Sequence, residues 1–486
     1  MEIPDYSPLF IAVVLFKWAV FIWDEYLTWR QRRVVLNKTT VPEPLSHVLD
    51  EETMNKTRRY SLDKMTFGFW QSLYSEVETN IILLLFALPW AWDRSGDILN
   101  KVPLDWIKDS EIFQSLIFVF FFSVFGLITG LPWSIYSTFV LEARHNFNKQ
   151  TPGFFVKDTI KKFIVMQLIA MPLLALLIWI IKIGGPYFFV YAWLFTLAVS
   201  IVLITVYPSY IAPLFDKFTP MEEGPLKTAI EKLASSVQFP LAELFVVEGS
   251  KRSSHSNAYF VGLIKKRIVL FDTLMVGLHP DNKVDEEKKD KAGENQDENK
   301  EAEQPTTSGE KKTTNEKKRK GCTDEEVLAV LGHELGHWKM WHIPKNFLIS
   351  AINTFLCFAV FAYLYQKPEI YQAFGFHNSM PILIGLFIIF QFIFGPYEMI
   401  LSFAMTLLSR RFEFQADEYA VKLELEGKLD DGSTKLKSAL IQLQVDNLGF
   451  PYSDWLYSTF YYSHPPILDR LKGIDAAKEA LSKKTD

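Results

Sequence analysis

The apolar residues of this 486-residue chain are gathered into runs long enough to cross a bilayer. A helix rising about 1.5 Å per residue needs about 20 such residues to span the hydrocarbon layer. Runs of this kind lie at 9–27, 78–93, 113–136, 163–182, 187–207, 346–365 and 382–406, so about seven spans are expected. The second is short and the third contains Gly130-Leu131-Pro132, so their edges are the least sharply set. With 49% hydrophobic residues bunched in this way, the expected class is a mostly α, polytopic membrane protein.

Basic residues set the orientation. Arg30, Arg32, Arg33, Lys38, Lys56, Arg58, Arg59 and Lys64 follow the first run, and no basic group precedes it. The positive-inside rule then puts the N-terminus outside the cytosol, and seven spans return the C-terminus to the cytosol. The opening residues, with Glu2 and Asp5, lack the basic stretch of a cleaved signal peptide, so the first run is expected to remain as an anchor.

Four regions follow: spans one to five within 1–207, a cytosolic insert at 208–345, spans six and seven within 346–408, and a cytosolic tail at 409–486. Inside the insert, Glu243–Glu248, Asn257–Val261 and Arg267–Asp272 are β-branched and aromatic runs between polar turns, which predicts a small antiparallel sheet. Residues 281–321 are crowded with Glu, Lys, Asn and Gln and should form a disordered linker. Its basic clusters, Lys311-Lys312 and Lys317-Lys318-Arg319-Lys320, read as solvated charge rather than an import or lipid signal. The final Lys483-Lys484-Thr485-Asp486 has the form of a dilysine retrieval signal of the endoplasmic reticulum.

A net charge of −5 gives no global field that would favour nucleic acid. The two cysteines, Cys322 and Cys357, allow neither a disulfide framework nor a thiolate metal site. A metal would need His and carboxylate ligands. His333-Glu334-Leu335-Gly336-His337 supplies them, because positions i and i+4 of a helix lie about 40° apart and two imidazoles can reach one cation. Glu334 cannot join them as a ligand, but it can take a proton from water held by the metal. Thr323 followed by Glu326 forms a capping box that starts the helix.

A hydrolytic zinc keeps three protein ligands and an open position. The chain returns to the motif's side of the membrane after the last apolar run, where Arg410-Arg411-Phe412-Glu413-Phe414-Gln415-Ala416-Asp417 follows. Glu413 and Asp417 share a helix face; Glu413 is taken as the third ligand and Asp417 as an acceptor that orients an imidazole. The bland alternative pairs both with Arg410 and Arg411. His464 and Arg470 could donate hydrogen bonds to a developing oxyanion, but a lone His beside Pro465-Pro466 is more often structural. His145, His255 and His342 carry no stronger signal, and His47, His279 and His377 none. Lys17, Gln391 and Glu398, inside or at the ends of apolar runs, favour a polar interior or snorkelling.

Taken together, these motifs resemble the zinc CAAX prenyl endoproteases. The resemblance runs through Leu131-Pro132-Trp133-Ser134, Ile183-Gly184-Gly185, Ala212–Lys217, Gly249–Tyr259, the zinc motif, Arg410–Asp417 and Ser463-His464-Pro465-Pro466. It implies seven helices around a water-filled chamber and a gluzincin-like cytosolic domain with one Zn2+ per chain on His333, His337 and Glu413. It also implies Glu334 as base, Asp417 as support, and His464 with Arg470 facing the substrate. Asn257-Ala258-Tyr259 would form an edge strand to which an extended substrate adds. Asn146 departs from the glycine expected there. The implied partners are the bilayer and proteins with a prenylated C-terminal CaaX sequence, whose last three residues are removed. A second upstream cut, as in the farnesylated lamin precursor, is also implied, in a monomer of the endoplasmic reticulum and inner nuclear membrane. A membrane quality-control protease, and a scaffold or transporter with a structural metal, are the competing readings.

Overall fold

The computed structural model describes residues 6–262, 266–279, 282 and 319–485. Most of the linker expected at 281–321, including Lys311, Lys312, Lys317 and Lys318, lies outside these residues, as do Asp486 and the Lys484 side chain. The chain opens with two long neighbouring helices, α1 (Pro8–Asn37) and α2 (Glu51–Leu84). The charged Lys17 is turned to its neighbour, with Nζ 3.1 Å from Glu76 Oε2, while Trp18 Nε1 donates to Asn80 Oδ1 at 3.2 Å. Protein partners thus satisfy Lys17 and Trp18, and snorkelling is not needed for Lys17.

The run at 78–93 is not one span. The backbone turns through Phe86 at φ 48° and begins a new helix, α3 (Ala87–Lys101). Pro89 sits in the first turn of α3, where its missing N–H is not needed. Hydropathy does not register the break because Phe86 and Pro89 are both apolar. Then follow α4 (Glu111–Tyr136), continued by wide turns to Glu142, α5 (Pro152–Ile183) and α6 (Phe188–Val206). Between α2, α4 and α5 lies a cavity of about 820 Å³ with Gln71, Ser123, Ser134, Thr138 and Gln167 on its wall.

The sheet is mixed, not antiparallel throughout. Its strands are β1 (Phe218–Pro220), β2 (Leu241–Val247), β3 (Ala258–Val261) and β4 (Lys266–Phe271), in the order β1-β2-β4-β3. β2 and β4 are parallel, and the other two pairs are antiparallel. Residues 248–257 between β2 and β3 are long enough to skip one strand position, leaving β4 in the middle and β3 at the edge. Ile268, Val269 and Leu270 of β4 are all buried, the continuous apolar run of a strand covered on both faces. The helix α7 (Pro225–Ser236) packs on β2.

The second half contains α8 (Asp324–Lys339), α9 (His342–Leu364), α10 (Pro368–Ala373), α11 (Ile382–Ile388), α12 (Gly395–Leu425), α13 (Gly432–Asp446), α14 (Trp455–Tyr461) and α15 (Ile467–Thr485). Helix contacts run from α1 through α6 to α9, and α10 returns to α1. Among the described residues four helices are long and apolar enough to cross a bilayer, and the pair Ile382–Ile393 and Gly395–Leu425, bent by 59°, makes a fifth if taken as one span. The same length is reached by α1, but Lys17, Asp24 and Glu25 interrupt its apolar half. Length and composition therefore support several membrane helices rather than the full count of seven.

Candidate metal and active site

Helix α8 begins with the expected capping box: Thr323 Oγ1 accepts from the Glu326 amide, and Glu326 Oε2 accepts from the Thr323 amide at 2.8 Å. The helix packs against α12, α13 and the edge strand β3. Gly336 permits the close approach to α12, since a Cβ there would meet Ala416 Cα at 3.0 Å. That contact sets His333 and His337 opposite Glu413 and Asp417, which lie one turn apart on α12 and are both buried.

Three donor groups converge. His333 Nε2 lies 3.1 Å from His337 Nε2, Glu413 Oε2 is 3.5 Å from His333 Nε2, and Glu413 Oε1 is 3.3 Å from His337 Nε2. Their ligand atoms fall within 4.8 Å of one another. Glu413 Oε2 is buried without a hydrogen-bond partner, the mark of an oxygen shaped for a cation. Two imidazole nitrogens and a carboxylate in this arrangement fit a divalent metal of the zinc type.

Supporting groups hold the donors in place. Asp417 Oδ1 lies 2.8 Å from His333 Nδ1, which leaves the Nε2 lone pair for the metal. Arg470 donates to both Asp417 oxygens, from Nε at 2.9 Å and Nη2 at 2.6 Å. Burial resists charge on His333, yet Asp417 and Glu413 raise its pKa to about 9. Burial likewise opposes the charge on Glu413, but the two imidazoles hold it well below the usual carboxylate range. The Arg470 charge does the same for Asp417 against burial. Burial pushes the Glu334 carboxyl up. A surrounding that favours an imidazolium over a neutral ring favours a dication in its place.

His333, Glu334, His464, Arg470, Asn257 and Ala258 all border one cavity of about 300 Å³. His464 Nε2 stands 3.4 Å from Glu413 Oε1 with most of its ring exposed. The buried Arg470 spends its bonds on Asp417, an arrangement that spacing did not indicate. Tyr259 does not border the cavity, its ring meeting Phe271 at 6.2 Å between centroids. Arg410 donates to the Ser458 carbonyl at 2.9 Å and is not the partner of Glu413 or Asp417. His145 binds Asp63 and His255 faces Asn447, both outside the donor cluster. Asn146 adopts φ 64°, the conformation glycine would take most readily and asparagine tolerates.

One residue went unrecognised in the sequence. His342 Nδ1 lies 2.9 Å from His337 Nδ1, its Nε2 lies 3.1 Å from Gln415 Oε1, and its ring stacks on Phe412 at 4.0 Å. With its Nε2–H directed at the Gln415 amide oxygen, the His342 Nδ1 is left as an acceptor for the His337 N–H. Its only sequence signal is the spacing of five from His337, and Trp341 turns it back by adopting φ 61°.

Known proteins are similar to this chain along most of its length. Residues 31–217 match the CAAX prenyl protease N-terminal family, described as five membrane helices, and residues 220–478 match peptidase family M48. CAAX prenyl protease 1 homologs of Mus musculus and Homo sapiens are each 54% identical over 479 residues, covering 98% of this chain and 98% of each relative. The crystal structure of S. mikatae Ste24p aligns with TM-score 0.79 at 34% identity, covering 97% of this chain and 100% of that one. The chain therefore belongs to peptidase family M48, a family of metalloproteases, and carries ahead of its peptidase segment the multi-pass membrane domain of the CAAX prenyl proteases.

Proposed function

We propose that this chain is a zinc endopeptidase that removes the aaX tripeptide from prenylated CaaX proteins. The observation that carries the reading is the convergence of His333, His337 and Glu413, with His333 and Glu334 on the wall of a cavity that Ala258 of the edge strand β3 also borders. Zinc, when bound there, supplies the positive charge that polarises the peptide carbonyl and acidifies the attacking water. Glu334 accepts the proton of that water and passes it to the departing amine. Asp417 fixes the His333 tautomer, and Arg470 fixes Asp417. His464 donates to the carbonyl oxygen as negative charge develops on it. The free side of β3, from Asn257 through Ala258 and Tyr259, offers main-chain groups to an extended substrate. Hydrolysis adds water across the bond after the prenylated cysteine, releasing a tripeptide with a new amino terminus.

The same reading places the protein, as a monomer, in the endoplasmic reticulum membrane and the inner nuclear membrane. Seven spans would leave the N-terminus lumenal and the metal site cytosolic or nucleoplasmic, as the basic residues that follow the first apolar run favour. A second cut upstream in a farnesylated lamin precursor would use the same centre. The test is cleavage of matched peptides with and without a farnesyl group. Strong preference for the farnesylated peptide is expected; equal rates would favour a quality-control protease.

A further inference from the structure

The catalytic cavity leads to two regions of opposite chemistry. Strand β3 starts at Ala258 beside His333 and Glu334 and ends at Val261, which with Gly262 borders a largely apolar cavity of about 920 Å³ next to α5 and α6. On the other side the catalytic cavity continues into one of about 410 Å³, both being bordered by Gln444, Asn447, His464, Pro465 and Ile467. The wall of this second cavity mixes hydroxyl and amide groups with apolar residues such as Leu448, Phe450 and Pro451, and carries Lys64 as its ammonium and no Asp or Glu. Among the described residues Lys64 forms no salt bridge: its Nζ lies 4.6 Å from the centre of the Tyr60 ring. Glu142, the carboxylate that acts on it through space, accepts a hydrogen bond from the Tyr60 hydroxyl at 2.8 Å.

We propose that this second cavity seats the terminal carboxylate of the substrate, with Lys64 as its counter-charge. The proposal rests on the CaaX reading and concerns the CaaX cut alone: freeing the last three residues is defined by the chain end, about 10 Å beyond the scissile bond for three extended residues. Direction supports it. A strand added antiparallel to β3 runs from the apolar cavity toward the metal donors and onward to Lys64. The lipid-bearing cysteine, before the scissile bond, then lies on the apolar side and the free carboxylate on the cationic side. A carboxylate there would gain charge-assisted hydrogen bonds from the ammonium and the surrounding hydroxyls.

The test uses the purified full chain and farnesylated CaaX peptides ending in a carboxylate or a carboxamide. The wild type is expected to prefer the acid by about tenfold to a hundredfold in kcat/KM, mainly through KM. Lys64→Met should bring the acid-to-amide ratio close to one, and Lys64→Arg should restore most of it. Equal rates on acid and amide in the wild type would overturn the proposal even if Lys64→Met could not be purified. So would an acid preference that survives in Lys64→Met. Failure to cleave any farnesylated peptide would sink the protease reading itself, a distinguishable result.

Discussion

Replacing Asp417 by Ala should damage folding and metal binding by separate routes, and the two can be told apart. The carboxylate is 1% exposed; it accepts two hydrogen bonds from Arg470 and one from His333 Nδ1. Without it the Arg470 guanidinium, itself 7% exposed, keeps Glu413 Oε2 at 3.7 Å and His333 Nδ1 at 3.3 Å, neither as close as the Asp417 oxygens. Breaking a buried pair from one side costs about 3–5 kcal/mol, so the metal-free protein should unfold at a clearly lower temperature in detergent. His333 also loses the acceptor that fixes its tautomer, which should weaken zinc binding by about tenfold to a hundredfold. The double variant Asp417→Leu with Arg470→Met removes both charges, so it should recover much of the metal-free stability but none of the zinc affinity. Thermal unfolding with and without chelator, together with zinc competition, reads both quantities. Unchanged zinc affinity in Asp417→Ala, or full recovery of affinity in the double variant, would refute the assigned role of Asp417.

Three further outcomes follow from the same geometry. His342→Leu should lower zinc affinity about tenfold to a hundredfold by freeing His337 Nδ1, and His342→Gln, which keeps an acceptor, should restore part of it in a competition titration. Because His333 in the metal-free protein has its pKa raised to about 9, against about 6.5 when unfolded, its contribution to stability is fully present below pH 6.5 and is lost as pH rises through 9. Zinc must displace that proton, so its affinity should rise from pH 7 toward 9 with about one proton released per metal, measured by calorimetry in buffers of different ionisation enthalpy.

The parts of the site legible in the sequence are those set by local spacing. His333, Glu334 and His337 follow from helix periodicity, the helix start from Thr323 and Glu326, and the pairing of Glu413 with Asp417 from one turn of α12. His342 was hidden because Trp341 leaves the helical conformation, and periodicity carries no information across such a break. Arg470 reaches Asp417 from a helix 53 residues away, a contact that only tertiary packing creates. The three strands were marked by composition, but their order was not: a buried strand reads alike whether its neighbours run parallel or antiparallel. The short β1, three residues ending in Pro220, gave too little pattern to notice. Hydropathy likewise merged the end of α2 with α3, because the residues at the turn are themselves apolar.

The most direct test of the central claim is to measure zinc content and peptide hydrolysis on the same preparation of Glu334→Gln. Glu334 is proposed as the base and not as a ligand, so wild type and variant should hold the same amount of zinc, one per chain, while hydrolysis of a farnesylated CaaX peptide falls by about a hundredfold or more in the variant. Undiminished turnover in that variant, or loss of the metal with the side-chain charge, would contradict the account.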